Sequence, residues 1–283
     1  MPRRVIGRRR RRALARELAE RHPPPMTAWE GDYGERHRNL LSWVLDSEAF
    51  ELLFAAGERL PEGYGVGLDE RVIEFPWLLS QRPFGRLLDA GSTLNHEHIV
   101  DRFQSAASWL CITTLRAEKA AYTERGISYV YADLRELPFR GGFFQTVICA
   151  STLEHVGMDN SIYGDTAPPA EDPTREQVAA LAELLRVAAP GGRVLVTLPY
   201  GRPEDHRWFR QFDQAALRSL LDPFDSVDVA VRVYAYRPSG WRLDTLAGAQ
   251  HAEFKDYHLD KRPAPDRAAA ARAVACITLN RRG

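Results

Sequence analysis

The stretch that most constrains the fold of this chain is Gly85-Arg86-Leu87-Leu88-Asp89-Ala90-Gly91-Ser92-Thr93-Leu94-Asn95-His96-Glu97-His98-Ile99-Val100. Leu87 and Leu88 form a short apolar run that predicts a buried strand, closed by Asp89. Gly91 lets the backbone turn sharply and come close to a ligand, because it has no Cβ to clash. Ser92, Thr93 and Asn95 are good helix N-cap residues, and Glu97 favours a first helical turn. A ligand at such a strand-to-helix corner meets unpaired backbone N–H groups. In open parallel sheets the crevice beyond the strand ends is where ligands bind. The alternative is an ordinary corner that holds nothing, and a single Asp-x-Gly does not decide between the two.

The chain after this corner alternates. Strands are predicted at Arg86–Asp89, Trp109–Leu115, Ser128–Tyr131, Thr146–Ala150 and Arg193–Leu198, with helices around Asn95–Ser105, Ala117–Glu124 and Glu176–Val187. Near-continuous apolar strands alternating with helices imply a parallel sheet covered on both faces. Val227–Tyr236 and Ala273–Asn280 read as two further strands. The link between them, Pro238 to Arg272, is long and polar, which suggests a substrate-facing insertion or a mobile loop.

Upstream, Leu40, Leu41, Val44, Leu45, Phe50, Leu53 and Phe54 mark a helical stripe within Glu35–Ala56. It reads as a cap over a pocket or a cover for a sheet edge. Gly63-Tyr64-Gly65-Val66-Gly67 reads as a flexible joint, and Leu68–Leu79 as an aromatic-rich approach to the first strand. Arg3, Arg4 and Arg8 to Arg12 open the chain, and Pro23-Pro24-Pro25 breaks any helix there. This start is either a basic helix for an anionic partner or a solvated extension. The expected organisation is a basic extension over 1–25, a helical cap over 26–67 and an α/β domain over 68–283 with an insertion at 238–272.

The 283 residues carry no net charge, which gives no global field toward nucleic acid or an anionic membrane. No apolar run approaches the roughly 20 residues of a membrane span, and no apolar stretch follows the basic start as in a secretory signal. The expectation is a cytoplasmic protein with a small-molecule partner, no nucleic acid and no membrane, and with self-association left open. Cys111, Cys149 and Cys276 are widely spaced within apolar runs and read as buried thiols, not as a disulfide framework or zinc site.

Four spaced segments resemble the class I S-adenosylmethionine-dependent methyltransferases of the small-molecule kind, over roughly Leu68 to Asn280. They are Leu87 to Ser92, Tyr131-Ala132-Asp133-Leu134 with Leu137-Pro138-Phe139, Phe143 to Val156, and Leu184 to Pro199 with its Pro190-Gly191-Gly192 turn. The resemblance implies a doubly wound, mainly parallel α/β sheet of the Rossmann-like methyltransferase type, its last strand antiparallel, behind an N-terminal helical extension. It implies S-adenosylmethionine as cofactor. Asp89, Ala90, Gly91 and Ser92 would meet its methionine end, Thr114 its ribose, Asp133 and Leu134 its adenine, and Ser151 the neighbourhood of its sulfonium. The sequence departs from the family's pattern in three places. Ser92, Thr93 and Leu94 replace later loop glycines, Thr113-Thr114-Leu115-Arg116 replaces the ribose acid (with Glu118 nearby), and Gln145 replaces the acid that opens the fourth strand.

Methyl transfer is an in-line displacement, so the protein mainly positions two partners; an acceptor hydroxyl also needs a base. His155, just past the fourth strand, is one candidate, its alternative role being to brace the cofactor loop. Asp205 with His206, after the fifth strand, is a second, set against loop packing. The loop Gly157 to Asp165 is expected to line the acceptor pocket, and Trp208, Phe209 and Phe212 to pack the following helix. His96 and His98, at i and i+2, do not face each other on a helix. Asp159, Asp165 and Asp205 allow a divalent ion without demanding one, so no metal is assigned. The expected activity is methyl transfer to an O or N atom of a small polar acceptor such as a sugar or natural-product intermediate. The alternatives are a methyltransferase-like fold without transfer activity that serves as a partner or binding module, a non-methylating enzyme such as a cyclase, and, supported only by the basic start, an RNA methyltransferase.

Overall fold

Parallel pairing dominates the sheet in the computed structural model, which describes residues 6–164 and 166–283. Its strands are β1 (Arg86–Ala90), β2 (Trp109–Thr114), β3 (Ser128–Tyr131), β4 (Phe144–Ala150), β5 (Ala188–Pro199), β6 (Glu204–Asp205), β7 (Arg210–Gln211), β8 (Val227–Arg237), β9 (Gly240–Asp244) and β10 (Ala273–Arg281). The main sheet has the order β3-β2-β1-β4-β5-β10-β8-β9, and β6 with β7 forms a separate ribbon. The pairs β1/β2, β2/β3, β1/β4 and β4/β5 are all parallel, as the alternating pattern requires. The last strand is antiparallel, in agreement with the fold class expected from the sequence.

The chain divides into two compact units, one of residues 1–81 with 232–275 and one of residues 82–231 with 276–283. The second unit holds β1 to β7 with the helices α5 (Glu97–Ala106), α6 (Pro173–Val187) and α7 (Gln214–Leu221). Asp172 caps α6 by accepting from Thr174 N at 3.0 Å and Arg175 N at 3.2 Å, and Asp213 caps α7 by accepting from Ala216 N at 2.7 Å. The expected Pro190-Gly191-Gly192 turn lies inside β5, where the register against β4 shifts between Phe144 and Thr146. Gly192 is held there because a Cβ would come within 2.9 Å of the Gln145 and Ala189 carbonyl oxygens.

The expected helix over Ala117–Glu124 does not form; a 3-10 turn at Thr123–Arg125 is the nearest regular element. Side chains take over the role of an amphipathic face in this segment. Asn95 Nδ2 donates to Glu118 Oε2 at 2.7 Å and to Ala120 O at 3.0 Å, and Tyr129 OH donates to Asn95 Oδ1 at 2.8 Å.

The first unit contains α1 (Arg8–Arg21), α2 (Tyr33–Leu45), α3 (Glu48–Ala56), α4 (Arg71–Ser80) and α8 (Leu246–Ala249). Of the basic start, Arg3 and Arg4 lie outside the described residues. Arg8 to Arg12 begin α1, whose Leu14 and Leu18 are buried and whose Arg11 lies 3.5 Å from Glu58. The helical stripe of Glu35–Ala56 is two helices, because the chain becomes extended at Ser47. Arg232 then closes α3 by donating to the carbonyls of Phe54 and Ala55, at 2.6 and 3.0 Å, at the C-terminal end where a cation is favoured.

The glycine run expected to be a joint is core. Trp241 N donates to Tyr64 O at 2.8 Å, and a Cβ on Gly65 would meet Val72 at 2.8 Å and Trp241 at 2.9 Å. Glycine is required here by packing, not by mobility. The link after β8 is also partly regular. Pro238-Ser239 turns β8 into antiparallel β9, with Arg237 opposite Gly240. The Ser-Gly turn signal and the Trp241/Leu243 alternation mark that hairpin in the sequence.

Candidate functional site

The carboxyl ends of β1 to β4 bring most of the expected site residues to one edge of the second unit. Ala90 ends β1 opposite Thr113, and Thr114 ends β2 opposite Tyr131. Asp133 and Leu134 follow β3, and Ser151 follows β4. This arrangement follows from parallel pairing, which puts every strand-to-helix turn on the same side.

The corner after β1 is built differently from a simple N-cap. The N-cap of α5 is His96, with no side-chain bond, so Ser92, Thr93 and Asn95 do not cap the helix. Each has been drawn into the turn instead. Asp89, fully buried, accepts from Leu94 N at 2.9 Å and closes the loop. Thr93 Oγ1 donates to Ala150 O at 2.6 Å, tying the corner to the end of β4. Gly91 has φ +115°, and a Cβ there would lie 2.2 Å from Thr152 Oγ1. The close approach that this glycine allows is therefore to Thr152 on the Cβ side.

Ser92 adopts φ +63°, a left-handed conformation that costs a non-glycine residue about 1 kcal/mol. Its hydroxyl is buried and has no hydrogen-bond partner among the described residues. Native proteins rarely leave such a group unsatisfied. A strained residue with an orphaned hydroxyl at a strand-to-helix corner fits a ligand that supplies the missing partner. Ser151 is also left-handed, at φ +42°, and its amide is shared between Thr197 O at 3.0 Å and Thr197 Oγ1 at 3.1 Å.

Asp133 is engaged. Arg135 donates to it from Nη2 at 2.6 Å and from Nε at 3.0 Å, and Arg135 Nη1 reaches Glu176 Oε2 at 2.5 Å. Burial pushes the Asp133 carboxyl up, and the Arg135 hydrogen bonds and charge outweigh it and hold the group below its ordinary pKa. Glu118, the acid nearest the end of β2 in sequence, is bonded to Asn95.

The loops after β4 and β5 are stitched together. His155 ends a 3-10 turn, and its Nδ1 lies 2.9 Å from Trp208 O. A carbonyl oxygen only accepts, so Nδ1 carries the hydrogen and the neutral ring keeps its lone pair on Nε2. Trp208 stacks on His155 with centroids 5.0 Å apart, and Tyr163 meets it edge-on at 5.6 Å. Asp159 N donates to Arg207 O at 3.0 Å, a further tie between the same loops. Trp208 and Phe209 thus pack against His155, where the sequence suggested the following helix. His206 stacks on Phe209 at 4.4 Å, but its Nε2 faces Glu204 Oε2 at 3.0 Å. Asp205 accepts from Arg207 N at 2.7 Å, so Asp205 and His206 do not form a dyad. β6 ends at Asp205, and His206 turns its ring to the residue two before it.

Among the described residues no group of three or more His, Cys, Asp or Glu is placed to hold a metal ion, and Asp165 lies outside them. Trp208, Glu204 and Arg135 are the site residues that sequence reasoning missed. Arg135 is signalled weakly by its place two residues after Asp133; the Trp208 contact is made by a backbone carbonyl, which no sequence pattern announces.

Residues 91–196 match a family model described as a methyltransferase domain. The match spans 106 of the 283 residues. The matched segment runs from Gly91 through β2 to β4 and into β5. S-adenosylmethionine is the cofactor of this family. No curated protein sequence matches the chain. Among solved structures, it is similar to the N-methyltransferase NodS of Bradyrhizobium japonicum with S-adenosylhomocysteine, at 14% identity and TM-score 0.46, covering 89% of this chain and 99% of that one. It is similar to the 1,6-didemethyltoxoflavin-N1-methyltransferase of Burkholderia thailandensis, at 14% identity and TM-score 0.45, covering 99% and 92%. It is similar too to the [4+2]-cyclase SpnF, at 18% identity and TM-score 0.47, covering 92% and 99%.

Proposed function

We propose that the second unit binds S-adenosylmethionine at the corner after β1 and that the chain methylates a small polar acceptor delivered to the loops after β4 and β5. The observation that carries this reading is the strained Ser92 with its orphaned buried hydroxyl, set beside Gly91 at the start of the matched domain. Gly91 and Ser92 hold the amino-acid end of the cofactor, Thr114 takes the ribose hydroxyls, and Leu134 covers the adenine. Asp133 reaches the adenine amine with lone pairs that Arg135 leaves over, since a carboxylate offers about four acceptor sites. When bound, the cofactor supplies an electrophilic methyl on a sulfonium.

The chain's own work is positioning and proton removal. His155, its tautomer fixed by the Trp208 carbonyl, takes the proton of an acceptor hydroxyl at Nε2. The ring stack of Trp208 and Tyr163 keeps the imidazole plane in place. His206 and Asp205, each bonded elsewhere, position the loop.

A second reading, a scaffold that binds a partner without transferring a methyl, is favoured by the Arg135 clamp on Asp133. Calorimetric titration with S-adenosylmethionine and S-adenosylhomocysteine separates the two. Micromolar binding of both supports the enzyme; absence of heat with no shift in melting temperature supports the scaffold.

A further inference from the structure

A cavity of about 370 Å³ lies wholly within the first unit, walled by the end of β8, the residues after α8 and the segment leading into β10. Tyr236, Arg237, His251, Glu253, Asp266 and Arg272 supply its polar lining. The link between the last two long strands therefore folds into a chamber, and its volume falls in the range of small-molecule sites, roughly 300–1,000 Å³.

Both guanidinium groups are held in place by neighbouring acceptors. Arg272 donates from Nε and Nη2 to the two oxygens of Asp266, at 2.8 and 3.1 Å. Arg237 donates from Nη2 to Asp244 at 2.8 Å and to Gly248 O at 3.0 Å, and from Nη1 to Tyr236 O at 3.1 Å. Tyr236 OH donates to Asp266 O at 2.8 Å and locks the two walls together. Of the five N–H groups of a guanidinium, Arg272 uses two and Arg237 three in these bonds. The remaining donors sit on side chains only 20% and 29% exposed, respectively. His251, on the same wall, is exposed and makes no hydrogen bond among the described residues.

We propose that this cavity is a binding site for a small molecule bearing one carboxylate or one phosphate. Donors already held in place by other bonds lose little freedom when an acceptor-rich group arrives. The carboxylates of Asp244 and Asp266 are engaged by the arginines, which leaves the remaining guanidinium N–H groups to a ligand. Glu253 adds a carboxylate at the wall, so the site takes one carboxylate or one phosphate in preference to a polyphosphate. The site stands apart from methyl transfer and does not rest on it.

The test is calorimetric titration of the full chain with inorganic phosphate, benzoate and tripolyphosphate, with S-adenosylmethionine titrated into the same preparations. Saturable binding of phosphate or benzoate is expected, weakened about fivefold or more by Arg237→Gln and by His251→Gln. His251→Gln removes no bond that the fold uses, so its loss of binding is not a loss of folding. Absence of saturable heat with phosphate and benzoate overturns the proposal, as does unchanged affinity in both variants. Tighter binding of tripolyphosphate overturns the preference for a single carboxylate or phosphate. S-adenosylmethionine affinity, unchanged in both variants, reports on the cofactor corner alone.

Discussion

The Tyr64 hydroxyl donates to the Val72 carbonyl at 2.6 Å. That carbonyl is the acceptor which Pro76, four residues on inside α4, cannot serve, because proline has no N–H. Tyr64 is fully buried, and burial pushes its pKa well above the ordinary tyrosine value, so it remains a donor. The first unit therefore tolerates a proline within a helix by borrowing a phenol from the glycine run before it.

Tyr64→Phe is expected to cost about 1–3 kcal/mol, because it leaves a buried carbonyl unpaired without creating a large cavity. Urea unfolding measures it. In a Pro76→Ala background the restored N–H serves Val72, and the Tyr64→Phe cost should fall by half or more. Equal costs in both backgrounds would show that the two residues are not coupled.

A cluster in the same unit sets a pH dependence. Glu70 is pushed up to about 8 by burial and by the anions Asp69 and Glu74, against Arg71. Asp69 goes the other way: burial raises it, but His37, Tyr33 and Arg71 outweigh burial and bring it to about 2. A raised folded-state pKa means stability present below the unfolded value and lost as pH rises through about 8. A lowered one means stability present above the unfolded value and lost as pH falls toward about 2. Glu70→Gln keeps an acceptor for Ala271 N and removes the charge. Its melting temperature should exceed that of the parent at pH 9 by about 2–4 °C and converge with it at pH 5. A constant difference across that range would assign Glu70 an ordinary pKa.

Gly91→Ala should abolish detectable S-adenosylmethionine binding in calorimetry. A Cβ would lie 2.2 Å from Thr152 Oγ1 on a backbone at φ +115°. Thr152→Ala in the same chain relieves the clash but not the backbone strain, so partial recovery is expected. Undiminished binding in Gly91→Ala would move the cofactor away from this corner.

His155→Gln should lower turnover by about 10²–10⁴-fold if the acceptor is a hydroxyl, with cofactor affinity unchanged. A long-range 1H–15N correlation spectrum gives a readout independent of activity. It should place the hydrogen on Nδ1, where the Trp208 carbonyl accepts it. A hydrogen on Nε2 in the neutral ring would remove His155 as the base.

Asp133→Ala should weaken S-adenosylmethionine binding about tenfold or more and free Arg135 to Glu176 alone. Intact affinity would take Asp133 out of the adenine site and leave it as the anchor of Arg135.

What the sequence determined by itself was whatever is local and periodic. Strand runs such as Ser128–Tyr131 and Val147–Ala150, the parallel pairing implied by alternating helices, and the corner at Asp89–Gly91 follow from apolar spacing and glycine placement, which act within a few residues. The helix expected at Glu176–Val187 starts earlier, at Pro173, where Asp172 caps it. Tertiary structure decided everything that depends on a partner distant in sequence. Thr93 and Asn95 read as caps, yet a carbonyl 57 positions away in one case and a carboxylate 23 positions away in the other took their side chains. Asp205 and His206 read as a pair, yet His206 faces Glu204 and Asp205 accepts from Arg207 N. The glycine run read as a joint, yet Val72 and Trp241 fill the space a side chain would need. The physical reason is the same throughout. A polar side chain or a glycine states what it can do, and the fold, by choosing which distant group comes within 3 Å, states what it does.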